Sequence, residues 1–277
     1  MPIKLLAIDL DGTLTDRFPA ISTANQQAIA RAMARGVRVA LATGRAYSIA
    51  AKIAHDLKLN APVISYHGGL VQDHRSGQIL RSEQMPANMS RRLIKFAREK
   101  KLHLVMYFAD ENYTELPSRQ MERVIGGEGI RLNIANNLLC LLDDDEAGAG
   151  PIKFLFIQPK RRNDRIYDLI AGEFGDELTI TRSSAILVEA LLPTISKGRA
   201  LQVVAHHLDI PLSQTMAIGD QDNDVSMLEA AGLAVAMGNA SAAARQAADA
   251  IAPPVEEDGV AWAIQTYILE ENDNPNA

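Results

Sequence analysis

Two acidic clusters stand out because each follows directly on a short apolar run. The first is Asp9-Leu10-Asp11-Gly12-Thr13, behind apolar residues 5–8. Side chains two apart in an extended chain point to the same side, so Asp9 and Asp11 are expected to share a face and repel each other. A divalent cation would relieve that repulsion. Gly12 allows a sharp turn and brings backbone N–H groups close to an anion. Taken alone, a solvated turn explains Asp-x-Asp-Gly equally well. The second cluster is Gly219-Asp220-Gln221-Asp222-Asn223-Asp224, behind residues 215–218. An acidic helix start accounts for Asp222 or Asp224, but not for Asp220, which sits directly after Gly219 at the strand end. Two such clusters at two strand ends favour one shared site for a hard cation. Oxygen ligands with no neighbouring His or Cys favour Mg²⁺ over zinc.

Two further elements suit an anion. Thr43-Gly44-Arg45 ends an apolar run and opens a helical stretch, so its hydroxyl and N–H groups are placed to hold a phosphate. Lys197 follows Ser196 at a helix start, where a cation opposes the helix dipole. A point-charge phosphate clamp would justify it; by itself it would be read as a solvated surface lysine. His55, His74, His103, His206 and His207 form no metal-ligand spacing beside carboxylates and read as structural or surface residues. His67 is left open as a substrate contact.

The elements that must position these groups follow from pattern. Residues 3–8, 37–42 and 63–65 read as short buried strands separated by helices. Ser22 is the N-cap of the first helix and Gly36 its C′ residue; residues 46–58 form the second. Strand and helix in alternation indicate a parallel sheet with crossover helices. The rhythm then changes. Val71 and residues 78–81 read as a hairpin, 89–101 as a helix, 103–108, 138–142 and 152–157 as strands around an acidic loop at 143–146, and 162–174 as a helix. Residues 177–181 and 185–189 close this block as a strand pair. The alternation returns after Pro193, with a helix from Ser196 to about 208, a strand at 215–218, a helix at 224–231, a strand at 233–237, helices at 240–248 and 260–269, and a frayed polar tail. The fold class expected is α/β, a Rossmann-like parallel-sheet core formed by residues 1–83 and 191–277, with an inserted α+β domain at 84–190.

Composition narrows the function classes. The chain has 277 residues, 47% hydrophobic and 22% charged, with a net charge of −6. That argues against an overall electrostatic nucleic-acid binder, and the basic run Lys160-Arg161-Arg162 reads as a solvated helix start. No apolar run reaches the ~18 residues of a membrane span, and residues 5–8, cut off by Asp9, are too short for a secretory signal. The single cysteine, Cys140, excludes an intrachain disulfide framework and a Cys-rich zinc site. Between leucines, it is expected to be a small buried residue. A reducing, cytoplasmic setting is expected.

In order, Asp9-x-Asp11-Gly12-Thr13, Thr43-Gly44-Arg45, Lys197 and Gly219-Asp220-x-x-Asn223-Asp224 resemble the four motifs of the haloacid dehalogenase (HAD) superfamily of phosphatases. Residues 217–240 and Asp258-Gly259-Val260 look like its Cof-type branch, as does an α/β cap inserted between the second and third motifs. One departure is Tyr66-His67-Gly68-Gly69, where many Cof-type proteins have Asn-Gly after the third strand. The resemblance implies Mg²⁺-dependent hydrolysis of a small phosphorylated metabolite through an aspartyl-phosphate, with no nucleic-acid or membrane partner. Asp9 would be the nucleophile. Asp11 would protonate the leaving oxygen and then deprotonate water, which requires it to be neutral at the first step. Asp9, Asp220 and the Asp11 backbone carbonyl would hold the metal, with Asp224 orienting them. Lys197, Asn223, Thr43 and the N–H groups of Leu10 and Gly44 would bind the phosphate. The inserted domain would set substrate choice, with Arg119 and Arg123 in its loops as candidate contacts. A phosphomutase of the same fold, a non-enzymatic phospho-receiver and a binding module are the alternatives. Oligomeric state is not readable.

Overall fold

The computed structural model describes residues 2–16, 20–109, 111–127, 130–142, 150–159, 163–184 and 186–270. The basic run at 160–162, the acidic loop at 143–146 and the tail from 271 lie outside them. The chain divides into two compact units, Met1–Arg81 with Ser196–Ala277, and Ser82–Ile195.

The first unit is built on β1 (Leu5–Asp9), β2 (Arg38–Ala42), β3 (Val63–Ser65), β4 (Leu70–Gln72), β5 (Ile79–Ser82), β12 (Thr215–Gly219), β13 (Leu233–Ala236) and β14 (Ala250–Ile251). They form one sheet in the order β14-β13-β12-β1-β2-β3-β4-β5. Pairing is parallel from β14 to β3 and antiparallel between β3 and β4. A parallel strand covered on both faces must be apolar throughout, and every residue of β1, up to and including Asp9, is buried. The helices α1 (Thr23–Ala34), α2 (Tyr47–Asp56), α6 (Lys197–His207), α7 (Val225–Ala230), α8 (Ala242–Gln246) and α9 (Gly259–Ile264) belong to this unit. Ser22 caps α1 by accepting from the Asn25 N–H, and Ser196 caps α6 by accepting from the Arg199 N–H. Leu201 and Val204 of α6 and Met227 and Leu228 of α7 join Leu5, Ala7, Ala40 and Ala217 of the sheet in one apolar cluster.

Strand order reverses at β1. From it the chain runs through β2 and β3 on one side and returns through β12, β13 and β14 on the other. Ligands of open α/β sheets bind beyond the carboxyl ends of the strands at such a switch point. Register brings the two acidic clusters there. Ile8 pairs with Ile218, so Asp9 leaves the sheet beside Gly219 and Asp220. Asp9 itself pairs with Ala42, one residue before Thr43.

The second unit is α+β. Its sheet runs β10 (Thr179–Ser184), β11 (Leu187–Leu191), β9 (Lys153–Ile157), β6 (His103–Tyr107), β7 (Asn112–Thr114) and β8 (Leu132–Ile134). Phe154, Phe156, Leu104 and Met106 pack against Leu93 and Ile94 of α3 (Ala87–Glu99) and Ile170 and Phe174 of α5 (Asn163–Phe174). Three expectations fail here. Residues Leu138–Leu142 form a 3₁₀ turn, because side chains take the N–H groups a strand ladder would use: Glu115 accepts from Leu138 and Asn137 from Leu139. That turn leaves Leu138 buried but Cys140 exposed. Arg119 and Arg123 lie on a helix, α4 (Arg119–Gly127), not in loops. The strand Asn112–Thr114 and the strand Leu132–Ile134 are too short to give a period-2 signal.

Candidate active site

β1 delivers Asp9 as its last residue and β12 delivers Asp220 just past its end. Lys197, the first residue of α6, is 0% exposed and Asp9 5%. The Lys197 Nζ donates to Oδ1 of Asp9 and Oδ1 of Asp224, both at 2.5 Å. Asp9, Asp220 and Asp224 are all buried, and each offers a carboxylate oxygen within 4.8 Å of the others. The two oxygens of Asp224 are both engaged, since Oδ2 accepts from the N–H groups of Asp220 and Gln221 at 3.0 Å. Asp220 accepts from the Thr13 hydroxyl at 2.9 Å and from the Gln221 amide at 2.7 Å.

The electrostatics are those of a site short of positive charge. Burial, reinforced by the charge of Asp224 and opposed by Lys197, holds the Asp9 carboxyl well above the ordinary carboxylate range. Asp220 is raised too, first by burial, against its hydrogen bonds from Gln221 and Thr13. Burial pulls the Lys197 ammonium down, but Asp224 and Asp9 outweigh it, so the lysine is held above its usual value. One ammonium faces three carboxylates in a region where unpaired charge is expensive. Hard oxygen donors with surplus negative charge fit a divalent cation. Gly12 shows how close the packing is. At φ +87° it occupies the left-handed region, and a Cβ there would meet Oδ2 of Asp220 at 2.4 Å.

Asp11 departs from the expected arrangement. Its carboxylate is 48% exposed and accepts two hydrogen bonds from Arg45, Nε and Nη2 each at 2.7 Å. The alternation that would put Asp9 and Asp11 on one side ends with β1 at Asp9, because the chain then turns. The Leu10 carbonyl accepts from the N–H groups of Leu14 and Thr15 at 2.9 and 3.0 Å, and the Gly12 N–H donates to Thr15 at 2.9 Å. Asp9 is therefore buried on Lys197, while Asp11 stays half-exposed on the Arg45 guanidinium.

Thr43 and Gly44 lie one and two residues past the Asp9–Ala42 pair, and the Thr43 hydroxyl accepts from the Arg45 N–H at 3.2 Å. Leu10 is buried next to Asp9. The Asn223 amide bonds to the His67 ring at 3.1 Å. Two participants were not singled out by sequence reasoning. Arg45 carries no signal beyond its place in the Thr43-Gly44-Arg45 break. Asn239 donates to the Gly12 carbonyl at 2.8 Å and accepts from the Val255 N–H at 3.0 Å. Its only signal was Gly238-Asn239 directly after the apolar stretch 233–237, a third polar break at a strand end.

Comparison with known proteins adds independent findings. A sequence model of the haloacid dehalogenase-like hydrolases matches residues 6–264. The phosphatase YwpJ of Bacillus subtilis is 31% identical over 279 residues, covering 94% of this chain and 98% of the relative. The 5-amino-6-(5-phospho-D-ribitylamino)uracil phosphatase YcsE of the same organism is 30% identical over 271 residues, with 96% of each chain covered. A crystal structure of a haloacid dehalogenase-like hydrolase from Bacteroides thetaiotaomicron superposes with a TM-score of 0.85 at 27% identity, covering 95% of this chain and 99% of that one.

Proposed function

This chain belongs to the haloacid dehalogenase-like hydrolase family and is a phosphatase of its Cof-type branch; on that footing we propose that it hydrolyses a small phosphomonoester through an aspartyl-phosphate on Asp9, with Mg²⁺ as its metal. The observation that carries this reading is the buried Asp9–Lys197–Asp224 chain with Asp220 beside it. Lys197 fixes the orientation of Asp9 and adds a positive charge where a phosphate dianion would otherwise be repelled. Asp9, Asp220 and the Asp11 backbone carbonyl would hold the cation, and Asp224, with both oxygens engaged, orients Lys197 and the 220–221 backbone. When bound, Mg²⁺ supplies the remaining positive charge that lets an anionic carboxylate and a phosphate share the site.

In the first step an Asp9 oxygen bonds to phosphorus while the bond to the leaving oxygen breaks, and Asp11 gives that oxygen its proton. Water then attacks phosphorus, Asp11 takes the proton, and the Asp9–phosphorus bond breaks to release inorganic phosphate. Arg45 holds Asp11 in the present arrangement, so proton transfer requires that pair to open. Thr43, Asn223 and the N–H groups of Leu10 and Gly44 donate to the phosphate oxygens. The ribityl phosphate that gives the YcsE relative its name is the first substrate to test, alongside sugar phosphates. A cytoplasmic setting is consistent with the single cysteine, and no helix among the described residues is long and apolar enough to cross a membrane.

The test is turnover of p-nitrophenyl phosphate after exhaustive chelation and after adding back Mg²⁺ or Ca²⁺. We expect no activity with chelator, recovery with Mg²⁺, and little with Ca²⁺, whose larger and looser coordination misplaces the nucleophile. Full activity in the chelated protein removes the metal from the proposal, and no activity under any condition removes the enzyme.

A further inference from the structure

Directly after β3, three successive residues adopt positive φ: Tyr66 at 51°, His67 at 58° and Gly68 at 100°. Two non-glycine residues in that region are costly and persist only where the surroundings dictate them. Here the surroundings are the Thr43-Gly44-Arg45 loop. The Tyr66 N–H donates to the Arg45 carbonyl and the His67 N–H to the Thr43 carbonyl, both at 3.0 Å. The turn places the His67 imidazole on two neighbours at once. Its ring lies against Gly44, where a Cβ would meet ring Cε1 at 2.2 Å. Its Nδ1 stands 3.1 Å from the Asn223 amide nitrogen. An amide nitrogen only donates, so in this contact Nδ1 is the acceptor.

We propose that His67 is a positioning residue for phosphate binding: its ring spans from Gly44 on the loop after β2 to Asn223 on the loop after β12 and sets the orientation and separation of those two donors. The proposal rests on the assignment of Gly44 and Asn223 to phosphate binding made above. It gives a physical role to the one segment that departs from the Cof-type pattern. Preorganising two donors on separate loops removes the cost of ordering them when the anion arrives.

The test uses the full-length protein with Mg²⁺ and inorganic phosphate as the probe. Phosphate affinity is measured by titration calorimetry, and kcat and KM with p-nitrophenyl phosphate. His67→Ala should weaken phosphate affinity and raise KM by about tenfold, the scale of one lost hydrogen bond, with a smaller change in kcat. His67→Asn should recover most of the loss. Its side-chain oxygen takes the place of Nδ1, and Asn tolerates positive φ better than most residues. Asn223→Ala should lose affinity, and the double variant with His67→Ala should lose less than the sum of the two single losses. Additive losses, or Asn no better than Ala, overturn the proposal, as does a melting temperature that falls while affinity and KM stay fixed. If His67→Ala fails to fold, His67→Leu, which fills the space but offers no acceptor to Asn223, takes its place, and affinity and KM equal to wild type overturn the proposal. A wild type that binds no phosphate overturns the functional reading and this inference together, whereas binding with additive losses overturns this inference alone.

Discussion

Among the described residues, each unit buries one lysine against acid, and the two burials differ in charge balance. In the second unit Lys153 of β9 donates to Glu189 of β11 at 2.9 Å, with both side chains almost fully buried. The Lys153 ammonium also lies 5.1 Å from the centre of the Tyr107 ring. In the first unit Lys197 meets Asp9 and Asp224 while Asp220 stands close by. Among the described residues, Asp9, Asp220 and Asp224 form the only group of three acidic side chains near enough together to share a metal ion. A matched pair is complete as a piece of structure. A cluster with three carboxylates and one ammonium is complete only with more positive charge, and folding alone gives no reason to keep it. The difference separates a buried ion pair that supports a fold from one that supports chemistry, although both look alike as a lysine with a carboxylate partner.

The largest effect expected from breaking the comparison is at Asp9. Asp9→Asn removes the attacking oxygen, so turnover should fall by about four orders of magnitude or more, as when other catalytic nucleophiles are removed. Trapped phosphoenzyme should vanish with it. Stability should hold or rise, because a buried carboxyl whose ionisation the fold resists has become neutral. Thermal melts and acid-quench trapping read both quantities, and a melting temperature that drops by many degrees would place Asp9 among structural residues.

Glu189 should behave in the opposite way. Glu189→Ala removes the carboxylate to which the buried Lys153 ammonium donates and should cost about 3–5 kcal/mol. Replacing both, as Lys153→Met with Glu189→Leu, should return most of that stability, because an apolar pair fills the space without uncompensated charge. Urea denaturation measures this. The folded fraction of either variant should keep its p-nitrophenyl phosphate turnover. A double variant as unstable as Glu189→Ala would show that this pair does more than fill space.

The smallest effect concerns pH. Asp9 and Asp220 have native pKa values raised above the ordinary 3.8, so the native state keeps their protons longer than the unfolded state does. Their contribution is full below that value and is lost as pH rises through the raised native values. A cation that binds the ionised carboxylates offsets the loss. The gain in melting temperature from Mg²⁺ over chelator should be small near pH 4 and grow toward pH 7. Each pKa unit is worth about 1.4 kcal/mol, or roughly 2–4 °C for a chain of this size. A gain that is flat across the range would detach the metal from these two carboxylates.

Much of the first unit was legible because its signals are local. Ser22 and Ser196 accept the N–H bonds that their cap positions predict. The apolar runs ending at Asp9 and Gly219 are strands in the expected places. The second unit was less legible. Leu138–Leu142 has the composition of a buried strand, yet acceptors from Glu115 and Asn137 convert it into a turn. Glu115 lies 23 residues from Leu138, and no window centred on the leucines contains it.

The sequence by itself determined which residue types stand at the strand ends, since an apolar run broken by Asp, Thr-Gly or Gly-Asp is readable from neighbours in the chain. It could not determine which distant partner each carboxylate meets. Asp9 and Asp11 are two residues apart, yet one is buried with Lys197, 188 residues away, and the other pairs with Arg45, 34 residues away. Tertiary structure decided this through the β1–β12 register and the turn that begins at Leu10. Side-chain direction follows a simple alternation only while the strand lasts. Beyond its end, burial and the nearest opposite charge set the direction, and both are contributed by distant parts of the chain.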